Sequence, residues 1–224
     1  MTLENESGNR IENGGRVLLK DRAYDEIMRS ILDGRLKPGS FLAERALADQ
    51  LGMSKTPVRA AIGRLETEGF VTVSPQQGIV VRELSIREIV DHFDIRMALE
   101  SFVVRRIAGR LTNDQAILLR QNLSDQEKQV DAGNVPDYYA LDAGFHMLLC
   151  RFSDNQEIMR VMEHQRLKLH RIIVGVLSQD TGRLRSGFEE HVGIAVAVIE
   201  GNSDRAADLI IKHLEFGKRI LVGL

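Results

Sequence analysis

The stretch from Glu44 to Gly69, ERALADQLGMSKTPVRAAIGRLETEG, admits few folds. Leu47, Ala48 and Leu51 form the apolar stripe of one short helix, and Val58, Ala61, Ile62 and Leu65 give a second helix its inward face at helical spacing. Gly52 closes the first helix, Ser54 is placed to N-cap the second, and Pro57 falls in the first turn, where a missing amide donor costs little. With the apolar faces turned inward, Lys55, Thr56 and Arg59 are left together on the outer surface near a helix N-terminus. Ammonium, hydroxyl and guanidinium groups there can reach phosphates and base edges, and the exposed helix amides favour a phosphate.

Taken alone, this pattern also fits an ordinary helical hairpin with a solvated basic edge. The flanks decide between the two. Ala23, Tyr24, Ile27, Met28, Ile31 and Leu32 mark an amphipathic helix ending at Gly34. Downstream, Phe70 to Val73, then Ser74-Pro75-Gln76-Gln77-Gly78, then Ile79 to Val81, read as strand, turn, strand. Three helices and a hairpin make a winged helix-turn-helix over residues 16–82. The run LKPGSFLAERALADQLGMSKTPVRAAIGRLETEGFV, followed by Gly78, resembles the DNA-binding domain of GntR-type bacterial transcription regulators. The matching elements are Pro38-Gly39, Glu44, Leu47-Ala48, Leu51-Gly52, Ser54, Thr56-Pro57-Val58-Arg59, Leu65, Glu68-Gly69 and Gly78. The resemblance implies that Arg45, Ser54, Lys55, Thr56 and Arg59 contact double-stranded operator DNA, with the wing at Gln77 and Gly78 approaching the minor groove. Lys55 stands where that family usually has arginine, which replaces a bidentate guanine contact by a point charge. Ala60 stands where glutamate is usual.

A net charge of -2 is low for a nucleic-acid binder until it is divided along the chain. Arg16 to Arg82 carries 11 Lys/Arg against 8 Asp/Glu, whereas Glu83 to Leu224 carries 18 against 21. The small positive excess sits on the winged helix, so affinity there rests on a few placed contacts and on dimerisation. Residues 1–15, polar and rich in Gly and Asn, read as a disordered tail. No apolar run approaches the roughly 20 residues that span a bilayer, and no signal pattern opens the chain, so a cytoplasmic protein is expected. The single cysteine, Cys150, lies beside Leu148 and Leu149 and reads as a small core residue.

After Arg82 the pattern becomes helical throughout. Ser85-x-x-Glu88 and Thr112-x-x-Gln115 are capping boxes opening helices that run to about Gly109 and Gly133. Pro136 precedes a helix through Phe152, Asn155 begins another to about Leu177, and Leu184 to Glu200 and Ser203 to Val222 complete the set, with Ser203 as the last cap. The fold class expected is therefore mostly α: a winged helix-turn-helix followed, over 83–224, by an all-α antiparallel bundle with short connections.

The bundle contains all six histidines, at 92, 146, 164, 170, 191 and 213. Asp142 and His146 lie one helical turn apart on one face, and His191 and His213 sit among inward apolar residues. Singly, such residues are more often hydrogen-bonded or surface groups than ligands. Together, a carboxylate and neutral imidazoles brought across a bundle interior can hold a cation. LDAGFH (Leu141 to His146), EEH (Glu189 to His191) and KHL (Lys212 to Leu214) resemble the FCD effector domain of the FadR-like branch of GntR regulators. That resemblance implies a divalent metal on Asp142, His146, His191 and His213, with zinc the default and nickel or manganese alternatives compatible with mixed N and O ligation. It also implies a small organic acid bound over the metal at open coordination positions, the alternative being a tetrahedral site filled by the four protein ligands and purely structural. Arg96, in DIRMALE, matches an arginine of the family's first effector-domain helix and would receive the acid's carboxylate, the competing reading being an ion pair with Glu100 one turn on. Tyr138, Tyr139 and Arg171 are further candidates to line the cavity, while His92, His164 and His170 are left as packing or surface residues.

The functional expectation is a ligand-responsive transcription regulator, a repressor relieved by a small carboxylic or sugar acid, acting as a homodimer on a palindromic operator. Two rivals remain at this level. One is a regulator that senses the metal itself. The other is a metalloenzyme, against which stands the lack of an acid or base that the sequence places beside the metal.

Overall fold

The computed structural model describes residues 18–74, 78–176 and 182–223, with side chains throughout except at 168–176. The expected tail, the wing turn with Gln77, and the side chains of His170 and Arg171 lie outside the described residues. The chain divides into two compact units between Arg82 and Glu83.

In the first unit, α1 (Leu19–Leu32) buries Ala23, Tyr24, Ile27, Met28 and Ile31, and the chain turns away at Gly34. Helix α2 (Glu44–Leu51) ends in a left-handed Gly52, φ 62°, whose lack of a Cβ makes the sharp turn into α3 (Lys55–Thr67) inexpensive. Val58, Ala61, Ile62 and Leu65 of α3 are buried against α1. Ser54 takes the extended backbone of an N-cap, but its hydroxyl forms no capping bond, so the expected side-chain cap is not made. Strands β2 (Val71–Ser74) and β3 (Gly78–Val81) form the expected antiparallel wing, with Val73 opposite Ile79 and Ser74 opposite Gly78. A further strand, β1 (Phe41–Leu42), pairs with the other edge of β3 and gives the order β1-β3-β2. Two residues are too few to show an alternating pattern, which is why β1 is not legible in the sequence.

The second unit contains α4 (Ile86–Ile107), α5 (Asn113–Ala132), α6 (Val135–Phe152), α7 (Gln156–Val176), α8 (Gly182–Ile199) and α9 (Ser203–Val222). Both capping boxes form: Ser85 with Glu88, and Thr112 with Gln115. Asn155 Oδ1 accepts from the amides of Glu157 and Ile158, as a helix-starting residue should. Two boundaries differ from expectation. Pro136 lies inside the first turn of α6, which is capped by Asn134, and α9 is capped by Asn202, leaving Ser203 as its first helical residue.

Helix α4 packs along α9, α5 against α6 and α8, and α8 against α9. Val103, Val104, Leu119, Phe145, Leu149, Ile194 and Ile210 form the apolar centre. Cys150 is buried among them, and burial pushes its thiol well above the usual range, so it packs as an inert side chain. The end of α4 meets the α8–α9 turn glycine to glycine: a Cβ on Gly109 would stand 3.1 Å from the Gly201 Cα, and both residues have positive φ. Against this apolar frame, buried Arg96, Glu100, Gln126, His146, Arg183, His191 and His213 stand out. Polar groups survive inside a bundle only when paired, so their partners are informative. Among the described residues no helix is long and apolar enough to cross a membrane.

Candidate metal centre and DNA-facing surface

In the first unit the expected DNA-facing residues that the structure describes are all exposed. Arg45 projects from α2, Lys55, Thr56 and Arg59 from the first turns of α3, and Ser54 from the turn between them. Gly78 opens β3 with φ 83°, beside the wing turn. Arg59 is not a free cation: its Nε and Nη2 donate to the two carboxylate oxygens of Glu44 at 3.0 and 2.9 Å, joining α3 to the start of α2. The guanidinium beside Glu44 holds that carboxyl below its usual range. Glu44 thereby presets the orientation of Arg59 at the surface. Arg45 lies 4.0 Å from Asp49 and remains 82% exposed, a loose pairing that leaves it extended into solvent.

In the second unit Asp142 and His146 of α6, His191 of α8 and His213 of α9 offer ligand atoms that all lie within 4.8 Å of one another. His191 Nε2 is 3.2 Å from His213 Nε2 and 3.5 Å from Asp142 Oδ1. The three imidazoles are buried, and the His191 ring stacks on Phe145 with centroids 4.3 Å apart. Each imidazole is held from behind through Nδ1. His146 meets Glu100 Oε2 at 2.5 Å, His191 meets Gln126 Oε1 at 2.8 Å, and His213 meets Glu190 Oε2 at 2.6 Å. The Nε2 atoms are left facing the shared centre, and that of His146 is buried without a hydrogen-bond partner.

Burial opposes ionisation of Glu100, but the adjacent Arg96 guanidinium and His146 imidazole overcome it and hold the carboxyl at about 2. Burial likewise opposes ionisation of Glu190, and hydrogen bonds from His213 and Arg183 hold it at about 2. Both groups are therefore carboxylates that accept protons' hydrogen bonds from Nδ1. Burial, reinforced by its cationic neighbours, drives the His191 pKa well below 6.5, and burial also lowers that of His213 against the opposing pull of Glu190. Imidazoles engaged through Nδ1 with their Nε2 atoms convergent, beside a carboxylate, are a donor set that fits a divalent cation of intermediate softness.

Two cavities flank the cluster and share Arg96, Tyr139 and Asp142 in their walls. One, of about 30 Å³, is completed by His92, Met162 and Arg166; the other, of about 50 Å³, by Tyr138, Arg183 and Gly187. Arg96 donates through Nε to Glu100 Oε1 at 2.6 Å, so the ion pair weighed in the sequence is present while the residue also lines both cavities. Arg183 is paired bidentately with Glu190 at 2.9 Å and lies over the Phe216 ring. His92, read from sequence as a packing residue, is buried and lines the first cavity, with Nδ1 2.5 Å from Gln165 Oε1.

Sequence reasoning missed Gln126, Glu190 and the second role of Glu100. Glu190 stood inside the quoted EEH motif, but nothing local showed that it faces His213 across 23 residues. Gln126 carries a weaker signal still, a polar residue in the middle of α5 that proves fully buried.

Comparison with known proteins places these two units. The FCD domain matches residues 91–216, and "Bacterial regulatory proteins, gntR family" matches residues 19–81. The Nta operon transcriptional regulator of Aminobacter aminovorans is 30% identical over 183 residues, covering 80% of this chain and 83% of that protein. The HTH-type transcriptional repressor RspR of Escherichia coli (strain K12) is 29% identical over 198 residues, covering 88% and 86%. Among solved structures, E. coli McbR/YncC has a TM-score of 0.78 at 23% identity, over 92% of this chain and 98% of that one, a likeness of fold. These relatives are transcriptional regulators, which sets aside the metalloenzyme reading. The winged helix-turn-helix, the helical unit behind it and the relatives together lead to one conclusion: the chain belongs to the GntR family of bacterial regulatory proteins, as a DNA-binding transcription regulator with an FCD domain.

Proposed function

We propose that this regulator is a repressor whose helical domain holds a divalent metal on Asp142, His146, His191 and His213, binds a small carboxylic or sugar acid beside it, and releases its operator in response. The single observation that carries the reading is the convergence of those four side chains, each imidazole backed through Nδ1 and the His146 Nε2 left without a partner. When bound, the metal supplies a Lewis-acidic centre for a carboxylate or hydroxyl oxygen. Zinc suits the donor set, as do nickel and manganese. Arg96, held by Glu100 and lining both cavities, supplies the positive charge that receives a carboxylate.

The winged helix grips DNA through Arg45, Ser54, Lys55, Thr56 and Arg59, with Gln77 and Gly78 of the wing at the minor groove. The protein works in the cytoplasm as a homodimer, placing two recognition helices on the halves of a palindrome. The acid acts only through unequal affinity for the DNA-competent and DNA-incompetent arrangements. A gel shift on the DNA upstream of the protein's own gene, with zinc and acids added separately and together, tests this. A shift abolished by one acid in the zinc-loaded protein is expected; release by zinc alone would make the metal the signal, and no response to any acid would overturn the effector reading.

A further inference from the structure

We propose that Gln126, oriented by Asn122, is a positioning residue that locks His191 in the tautomer a metal requires and denies the cluster a satisfied metal-free arrangement. This rests on the reading of the cluster as a metal centre.

The polarity of a short hydrogen-bond relay leaves no choice at any step. The backbone carbonyl of Leu141 can only accept, so the Asn122 amide nitrogen, 3.1 Å away, donates to it. Asn122 Oδ1 then faces the opposite way and accepts from Gln126 Nε2 at 2.7 Å. Gln126 Oε1 is thereby turned toward His191 Nδ1, 2.8 Å away, and being an acceptor it requires the imidazole proton on Nδ1. A neutral His191 is left with a bare lone pair on Nε2. Gln126 is fully buried, so solvent does not compete for these bonds.

The consequence appears across the cluster. Glu190 and Glu100 place the protons of His213 and His146 on Nδ1 in the same way. With the imidazoles neutral, three Nε2 lone pairs and the Asp142 carboxylate then face one another with no donor among them, His191 and His213 at 3.2 Å. A cation satisfies all four. Were His191 free to take the other tautomer, its Nε2–H would donate to His213 Nε2 and the pair would be content without metal. The relay removes that alternative, which is why its effect falls on metal affinity. It also accounts for the glycine inside LDAGFH: a Cβ on Gly144 would stand 3.3 Å from the Asn122 amide nitrogen that reaches Leu141. The motif thus supplies two ligands, the carbonyl that starts the relay and the space through which it passes.

Zinc competition against a chromophoric chelator, on the full-length protein, tests the proposal with Gln126→Leu, Gln126→Glu and Asn122→Ala. Gln126→Leu fills the volume without an acceptor and is expected to weaken zinc binding about 10- to 100-fold, the usual range for a lost outer partner of a ligating histidine. Gln126→Glu restores an acceptor to His191 but sets a carboxylate oxygen against Asn122 Oδ1, so it is expected to recover part of that loss. Imidazole ¹⁵N spectra of the chelator-treated wild type should show His191 protonated on Nδ1 alone, and those of Gln126→Leu a mixture of tautomers. Should Gln126→Leu not fold, Asn122→Ala, at a half-buried site, is expected to lower affinity by a smaller factor in the same direction. Wild-type zinc affinity in Gln126→Leu or in Asn122→Ala, or an Nε2–H tautomer in the wild type, overturns the inference alone. Absence of zinc binding by the wild type, matched by His146→Ala, overturns the metal reading with it.

Discussion

His191 and His213 bring their Nε2 atoms to 3.2 Å from separate helices, α8 and α9, with no solvent reaching the His191 ring. Each is backed by its own acceptor, so the two nitrogens are held face to face by groups on α5 and α8 and not by each other. A shared cation would relieve that confrontation and tie α6, α8 and α9 together.

Metal removal should therefore destabilise the helical domain. Chelation is expected to lower its thermal midpoint by several degrees, each kcal/mol being worth about 2–4 °C in a protein of this size. His191→Ala should carry less than the wild-type metal content and show a much smaller chelator effect while remaining folded. Elemental analysis with thermal unfolding checks both; an unchanged metal content would remove His191 from the ligand set.

The same histidines set a pH dependence, best measured in chelator so that metal release does not contribute. In the fold both pKa values lie below 6.5, whereas the unfolded imidazoles titrate near it. Below pH 6.5 the unfolded chain binds more protons, so stability falls as the pH drops from there toward the folded values. Glu100 and Glu190, held at about 2 against a usual 4.5, contribute stability above pH 4.5 that is lost between 4.5 and 2. Denaturant unfolding across pH 8 to 3 should show the first decline beginning near 6.5 and a second below 4.5.

Much of this fold is visible in the sequence because it rests on local rules. Gly52 ends α2, the Ser85 and Thr112 boxes open α4 and α5, and the spacing of Val58, Ala61, Ile62 and Leu65 describes the buried face of α3. The four convergent side chains were named through a family resemblance, since Asp142 and His146 share a helix turn but nothing local says that His191 and His213 meet them. The backing acceptors were hidden for the same reason. Gln126 acts across 65 residues and Glu190 across 23, distances over which periodicity carries no information.

Gly187 and Tyr138 form a testable pair in the wall of the second cavity. A Cβ on Gly187 would stand 2.7 Å from the Tyr138 hydroxyl oxygen, which is buried without a partner. Gly187→Ala alone is expected to cost about 1–3 kcal/mol through overpacking. Tyr138→Phe removes the obstructing oxygen, so the double variant should recover most of that cost in a double-mutant cycle. Additive effects would mean that the strain lies elsewhere.

Arg59 and Glu44 make a second pair, at the exposed surface of α3. Arg59→Ala should weaken operator binding by the ~1–3 kcal/mol of a lost bidentate contact, and further if phosphate contacts go with it, while leaving acid binding unchanged. Glu44→Gln should weaken it less, because it loosens the orientation of the guanidinium without removing it. Fluorescence anisotropy on labelled operator and calorimetry with the acid separate the two effects; loss of both activities in Arg59→Ala would misplace the recognition surface.

Coupling between the two domains is tested most directly by measuring the acid's affinity for the zinc-loaded protein with and without saturating operator. If the acid relieves repression by shifting one equilibrium, operator must weaken acid binding by the same factor by which the acid weakens operator binding, typically about 5- to 150-fold. Equal factors in the two directions are expected. Acid affinity indifferent to operator would contradict a regulator in which the helical domain governs when the winged helix holds DNA.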